Sequence, residues 1–269
     1  MLHIETYQTE LFPDLIERIW MAENTDKEVQ LVIPPNQYVN LVFPLNNSTY
    51  RRDNALTEGP QIEGISTQST ALVYPAGTKL LGVRFFAFGL YPFIPIHGQK
   101  LLNNSLSCPL EAEETKDFLK YSVSDSDTLL IRNMYKFLSD SFCEKSYKAV
   151  FQLMDFYKQF RWDEETSSIE AFCSNIGTNY TRLNRHFTRV VGITPKKFER
   201  LIKFRKSLCN LIDSEDQLTT IGANSGYFDQ AHFIREFKMF LNHTPSDYQA
   251  LIKMADTNSK IINYNFKLF

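Results

Sequence analysis

The first hundred residues carry short β-prone apolar runs punctuated by proline. Val29-Gln30-Leu31-Val32-Ile33 is closed by Pro34-Pro35, and Tyr38-Val39-Asn40-Leu41-Val42-Phe43 by Pro44. Ser69 to Tyr74 and Leu80 to Phe86 repeat the pattern across the turn signal Pro75-Ala76-Gly77. Short strands at regular spacing predict a sandwich or small barrel. The texture changes after Pro109. Residues Leu110 to Phe160 contain neither proline nor glycine, and apolar residues recur at helical spacing, as in Leu129, Leu130, Met134, Phe137 and Leu138. From Ser167 to about Met254 the pattern is helical with short turns. The expected fold is α+β with two domains, each with its own core. A β-rich domain spans 1–109, a helical linker 110–160, an all-α domain 161–254 and a strand-like or loosely ordered extension 255–269.

Within the helical part, Ile169, Phe172, Cys173 and Ile176 form one apolar face, capped by Ser167 or Ser168 and ended by Gly177. A second helix follows from Asn179. Tyr180, Leu183, Phe187 and Val190 are apolar, and Thr181, Arg182, Asn184, Arg185, Thr188 and Arg189 fill the other face. A short helix, a glycine turn and a helix with a basic outer face make a helix-turn-helix. Gly192-Ile193-Thr194-Pro195 closes the unit, with Thr194 as N-cap and Pro195 as first residue of a long helix to about Asp213. The plan then recurs. Leu218, Ile221 and Gly222 begin a short helix and Ser225-Gly226-Tyr227 makes the turn. Asp229 caps a helix to Phe240, and Asn242-His243-Thr244-Pro245 echoes the earlier closure. Asn242 stands where the first unit has Gly192, and asparagine tolerates the left-handed conformation.

Net charge is −2, which taken alone argues against nucleic acid. The distribution reverses that argument. Between Thr178 and Lys206 the basic residues are Arg182, Arg185, Arg189, Lys196, Lys197, Arg200, Lys203, Arg205 and Lys206, with Glu199 the sole acid. A basic stretch in a neutral chain is a footprint for phosphates, against the plainer reading of a solvated helix face. Four scattered cysteines without a CxxC pair suit a reducing cytoplasm and argue against structural zinc. No apolar run approaches the ~18 residues of a membrane span, and no signal peptide is expected. The chain lacks a nucleophile elbow, a P-loop, GxGxxG and HExxH, so no enzyme and no cofactor are expected.

Residues Ser168 to Ala250 resemble the DNA-binding domain of the AraC/XylS family of transcription regulators. The resemblance rests most on Gly226-Tyr227-Phe228-Asp229-Gln230-Ala231-His232-Phe233-Ile234-Arg235-Glu236-Phe237-Lys238 and Thr244-Pro245-Ser246-Asp247-Tyr248. Arg182-Leu183-Asn184-Arg185-His186-Phe187 through Pro195 adds the first unit. Cys173 and Gly222 depart from the family's usual alanine, and both are small. The β-rich half is similar, more loosely, to a sensor-like domain of unknown function in one branch of the family, on Gly64-Ile65-Ser66-Thr67-Gln68, Leu81-Gly82-Val83-Arg84-Phe85 and Phe88-Gly89. That parallel implies a cupin-like barrel. With only His3 and His97 in that half, no metal is expected.

The resemblance implies that helices 179–190 and 229–240 enter successive major grooves, about 34 Å apart. Thr181, Arg182, Asn184 and Arg185, then Gln230, Ala231, His232 and Arg235, are the base-reading candidates. Arg189, Lys196, Lys197 and Lys238 are assigned to phosphates. Alternatives stand beside these. Arg185 and Arg235 also suit pairing with carboxylates such as Glu236. His186 suits packing or hydrogen bonding within its unit. His232 suits a base edge, a phosphate or a structural role. Tyr227 and Phe228 are expected in the turn and core. Arg84 suits either an anionic ligand or a structural pairing, with the second favoured. The partners implied are double-stranded DNA, a small-molecule effector, RNA polymerase for an activator and a second copy of the chain. The alternative function is a protein-interaction or ligand-binding module without DNA readout.

Overall fold

The computed structural model describes residues 1–109, 127–162 and 168–257. The start of the expected linker, the Ser167 cap and all but three residues of the expected C-terminal extension lie outside these. Strands β1 (Leu2–Tyr7), β2 (Ile16–Asn24), β3 (Val29–Ile33), β4 (Tyr38–Leu45), β5 (Tyr50–Arg52), β6 (Ala55–Thr57), β7 (Gln61–Glu63), β8 (Thr70–Tyr74) and β9 (Thr78–Phe86) come first. A one-turn helix α1 (Gly98–Leu101) and β10 (Ser105–Ser107) complete this half. The strands form two sheets, ordered β1-β2-β9-β4-β7-β10 and β3-β8-β5-β6, and their pairings are antiparallel.

Side chains alternate across a strand, so β2, β4 and β9 each present two faces. Trp20, Ala22, Val42 and Leu80 pack with Leu31, Ile33, Tyr50, Leu72 and Tyr74 of the smaller sheet. Ile19, Met21, Leu41, Phe43, Leu81, Val83 and Phe85 belong instead to the large core that runs into the helices. Burial on both faces is why Val39 to Phe43 reads as nearly continuous apolar sequence. The small core holds a polar centre. The Tyr50 hydroxyl donates to buried Glu63 at 2.8 Å, and Arg52 stands 3.4 Å from the same carboxylate.

The helical part contains α2 (Asp127–Ser141), α3 (Glu144–Lys148), α4 (Phe151–Trp162), α5 (Ile169–Asn175), α6 (Tyr180–Val190), α7 (Pro195–Asp213), α8 (Leu218–Asn224), α9 (Gln230–Leu241) and α10 (Pro245–Thr257). No helix among the described residues is long and apolar enough to cross a membrane. α2 lies on the large sheet through Leu130, Met134 and Leu138, with Phe137 edge-on to Phe43 at 6.2 Å. α4 is the joint. Its Tyr157 packs on Phe86 and Phe88 of the β-rich half at 5.2 and 6.1 Å. Its neighbour Phe156 meets Phe172, Phe187 and Phe198 of the helical units at 5.2, 4.7 and 6.4 Å. Leu130, Met134, Leu138, Phe156 and Tyr157 of the expected linker segment thus belong to the hydrophobic cluster shared by the large sheet and the helical units.

A second contact ties the halves together. Gly192, at φ +92°, follows α6 and lies backbone to backbone on Gly98 at the start of α1. A Cβ on Gly98 would stand 2.4 Å from the Gly192 nitrogen and 2.6 Å from the Val190 carbonyl oxygen. No side chain fits between these two segments.

Candidate nucleic-acid interface

Both helical units are built by the same local devices. Ser168 caps α5, its hydroxyl accepting from the Ala171 N–H at 3.0 Å. Asn179 caps α6 by accepting from the Arg182 N–H at 2.9 Å. In the second unit Asp229 caps α9 by accepting from the His232 N–H at 2.6 Å. Each turn opens on a left-handed glycine, Gly177 at φ +62° and Gly226 at φ +80°. After it, the Thr178 N–H donates to the Cys173 carbonyl at 2.9 Å, and the Tyr227 N–H to the Gly222 carbonyl at 3.1 Å. Thr194 caps α7, with Pro195 in the first turn. Asn242 takes the left-handed conformation at φ +59°, so the turn at its place is kept. Gly222 and Cys173 fill the small-residue role, and a Cβ on Gly222 would already press on Phe233 at 3.2 Å.

Matching burial sorts the two outer faces. α6 buries Leu183, Phe187 and Val190, and α9 buries Phe233, Phe237, Phe240 and Leu241. Opposite these stripes Thr181, Arg182 and Arg185 are exposed on α6, and Gln230, Ala231 and Arg235 on α9. Arg185 and Arg235 form no ion pair among the described residues. Glu236, the carboxylate closest to Arg235 in sequence, accepts from Nε and one Nη of Arg200 on α7, at 2.7 and 3.0 Å. Asn184 is half-buried, and its Oδ1 is enclosed without a hydrogen-bond partner. His232 is half-buried with its ring edge-on to Tyr227 at 5.4 Å. Arg189, Lys197 and Lys238 are exposed. Lys196 is exposed too, but its ammonium sits 2.8 Å from Glu199, which also binds Lys203 at 2.9 Å. Burial pushes the Glu199 carboxyl up, and the two ammonium groups more than offset it, leaving the carboxyl below its usual range.

Arg84 lies away from this surface. It is 3% exposed, stands 3.8 Å from Glu17 and caps the Tyr38 ring at 5.2 Å. Burial pulls its pKa down to about 10, with Glu17 opposing, so it stays charged at neutral pH.

Phe228 departs from expectation. Tyr227 is buried, as a core residue of the turn, whereas Phe228 is 92% exposed. The sequence reading also missed a wall beside α6. Lys148, Ala149, Phe151 and Gln152, from α3, α4 and the turn between them, line a groove with Arg182, Arg185, His186 and Arg189. Lys145 and Lys148 before an exposed aromatic were the available signal.

His186 closes this groove against the backbone at Ala149. Burial holds its imidazole below the ordinary range, the charges of Arg189 and Arg182 push the same way, and the Ala149 backbone opposes them. A lowered folded-state pKa means that the folded chain resists a proton the unfolded chain accepts. Stability is therefore expected to fall as pH drops below about 6.5, levelling off once the folded imidazole also protonates. Urea denaturation of the parent and of His186→Gln between about pH 8 and 5 checks this. The substitution should flatten the decline, and an equal decline in both would remove His186 as its source.

Residues 172–250 match a helix-turn-helix domain family, and residues 10–107 a domain of unknown function (DUF6597). Invasion protein InvF of Salmonella typhimurium is 29% identical over 80 residues, covering 30% of this chain and 37% of InvF. An uncharacterised HTH-type transcriptional regulator of Staphylococcus aureus is 22% identical over 102 residues, or 38% of this chain and 14% of that protein. The matches thus span little more than a third of the first relative and less of the second. Among solved structures, ToxT from Vibrio cholerae superposes with a TM-score of 0.47 at 14% identity, covering 93% of this chain and 98% of ToxT. With paired helix-turn-helix units on one long helix and a domain match over those same residues, residues 172–250 form a helix-turn-helix domain of the AraC type.

Proposed function

We propose that the chain is a sequence-specific DNA-binding regulator of transcription that reads two adjacent major-groove segments with α6 and α9. One observation carries this reading. Thr181 with Arg185, and Ala231 with Arg235, occupy the same exposed places on two equally capped helices, and neither arginine is paired with a carboxylate among the described residues. Arginine suits guanine O6 and N7, and Gln230 at the start of α9 suits adenine N6 and N7. Asn184 and His232 flank these faces. Arg189, Lys197 and Lys238 hold phosphates, with Lys196 shared between phosphate and Glu199. The β-rich half is assigned control of the reading units, through a small-molecule effector or pairing with a second copy. Contact with RNA polymerase belongs to this reading where the protein activates. No reaction is assigned to the chain.

Selection of bound fragments from randomised duplex DNA by the full chain tests the proposal. The expected product is one motif with two recognition elements about one helical turn apart, bound with an affinity that falls steeply with salt. Failure to enrich any motif would sink it.

A further inference from the structure

The two turns differ in length. One residue, Thr178, separates Gly177 from its cap Asn179, while two, Tyr227 and Phe228, separate Gly226 from Asp229, and Phe228 is the extra residue. The backbone explains its direction. The Tyr227 N–H is fixed to the Gly222 carbonyl at 3.1 Å, and Tyr227 turns inward against Phe233 at 5.3 Å. The next residue then points out. A hydrophobic residue just before an N-cap often staples to the fourth helical residue, here Phe233. Phe233 is fully buried by other rings while Phe228 remains 92% exposed, so no staple forms. The first unit has half-buried Thr178 before its cap. An aromatic ring without a structural role therefore stands at the N-terminal end of α9, beside exposed Gln230. This is the end of a helix-turn-helix reading helix that meets base edges.

We propose that Phe228 reads the second half-site by apolar contact, its ring packing on the 5-methyl group of a thymine at the edge of the Gln230 contact. This deepens, and rests on, the DNA-reading function proposed above. Thymine is the base that offers an apolar group in the major groove, and phenylalanine is among the side chains that meet it. Burial of the ring on DNA also removes from water the most exposed large apolar side chain among the described residues.

The test uses the full chain and the duplex recovered by selection, together with versions in which single thymines are replaced by deoxyuridine. With the parent protein, one such replacement in the second half-site should weaken binding about fourfold. Phe228→Ala should weaken binding to the parent duplex roughly tenfold and abolish that replacement's penalty. Its binding to a scrambled duplex should be unchanged, which reports an intact fold. Phe228→Leu, which keeps an apolar contact, should retain part of the penalty. Phe228→Ala that selects the same motif with parental affinity overturns the assignment, and a simultaneous loss of transcription would place the ring on a protein partner instead. A deoxyuridine penalty that persists in Phe228→Ala also overturns it. Failure of the parent to select any motif would instead remove the DNA-reading function on which the assignment rests.

Discussion

Replacing Arg185 and Arg235 together by alanine is expected to remove most of the discrimination between the selected duplex and a scrambled one, leaving what Gln230 and Phe228 supply. Each arginine is exposed, uncommitted to a carboxylate, and central on the outer face of its helix. A good bidentate contact to guanine gives about 1–3 kcal/mol of discrimination. The two sit on separate helices without shared partners, so their losses should add to roughly thirtyfold to twenty-thousandfold. The fold should survive, because neither side chain contributes to the core. Lys197→Ala is the contrast. Loss of a phosphate contact weakens binding to all duplexes alike and reduces the salt slope by about one. Titration of both duplexes at several salt concentrations separates the two outcomes. A double variant that prefers the selected duplex as strongly as the parent does would remove both arginines from the reading face.

Phe156→Ala is expected to be the most destabilising single change. The side chain is fully buried, stacked on Phe160 at 4.2 Å and surrounded by Phe172, Phe187 and Phe198. Truncation of a buried phenylalanine costs about 3–5 kcal/mol, a large part of the roughly 5–15 kcal/mol that holds a typical domain folded. Because Phe156 and Tyr157 join the two halves, the loss should lower the midpoint of a single urea transition without changing its slope. Two separate transitions would mean that the halves unfold independently, and that α4 is not the joint described above.

The helical half was legible because its determinants are local. Ser168, Asn179, Thr194 and Asp229 are caps within three residues of the N–H groups they accept from, and the apolar stripes on α6 and α9 follow the helical period. Asn242 could be placed because its left-handed backbone depends on one residue. The strands β3, β4, β8 and β9 were visible as apolar runs. β2 was not, since Ile16-Glu17-Arg18-Ile19-Trp20 has no strong strand signal and is shaped by its pairing with β1 and β9. Three-residue strands such as β5, β6 and β7 are likewise products of their neighbours. Phe228 was misplaced because one additional turn residue decides which of two adjacent aromatics faces inward, and composition does not show that. The packing of Tyr157 was not legible because its partners, Phe86 and Phe88, lie about seventy residues earlier in the chain.

The Gly98–Gly192 contact has a consequence for exchanging reading heads between relatives. A graft cut near residue 163 looks natural by sequence, since it falls between α4 and the first unit. It would place a foreign turn against the α1 of this chain, where no atom of a Cβ fits. A transplanted head is therefore compatible only when its own turn carries glycine at the place of Gly192, or when α1 travels with it. The inheritable module is discontinuous in sequence, and its boundary runs through space at that backbone contact.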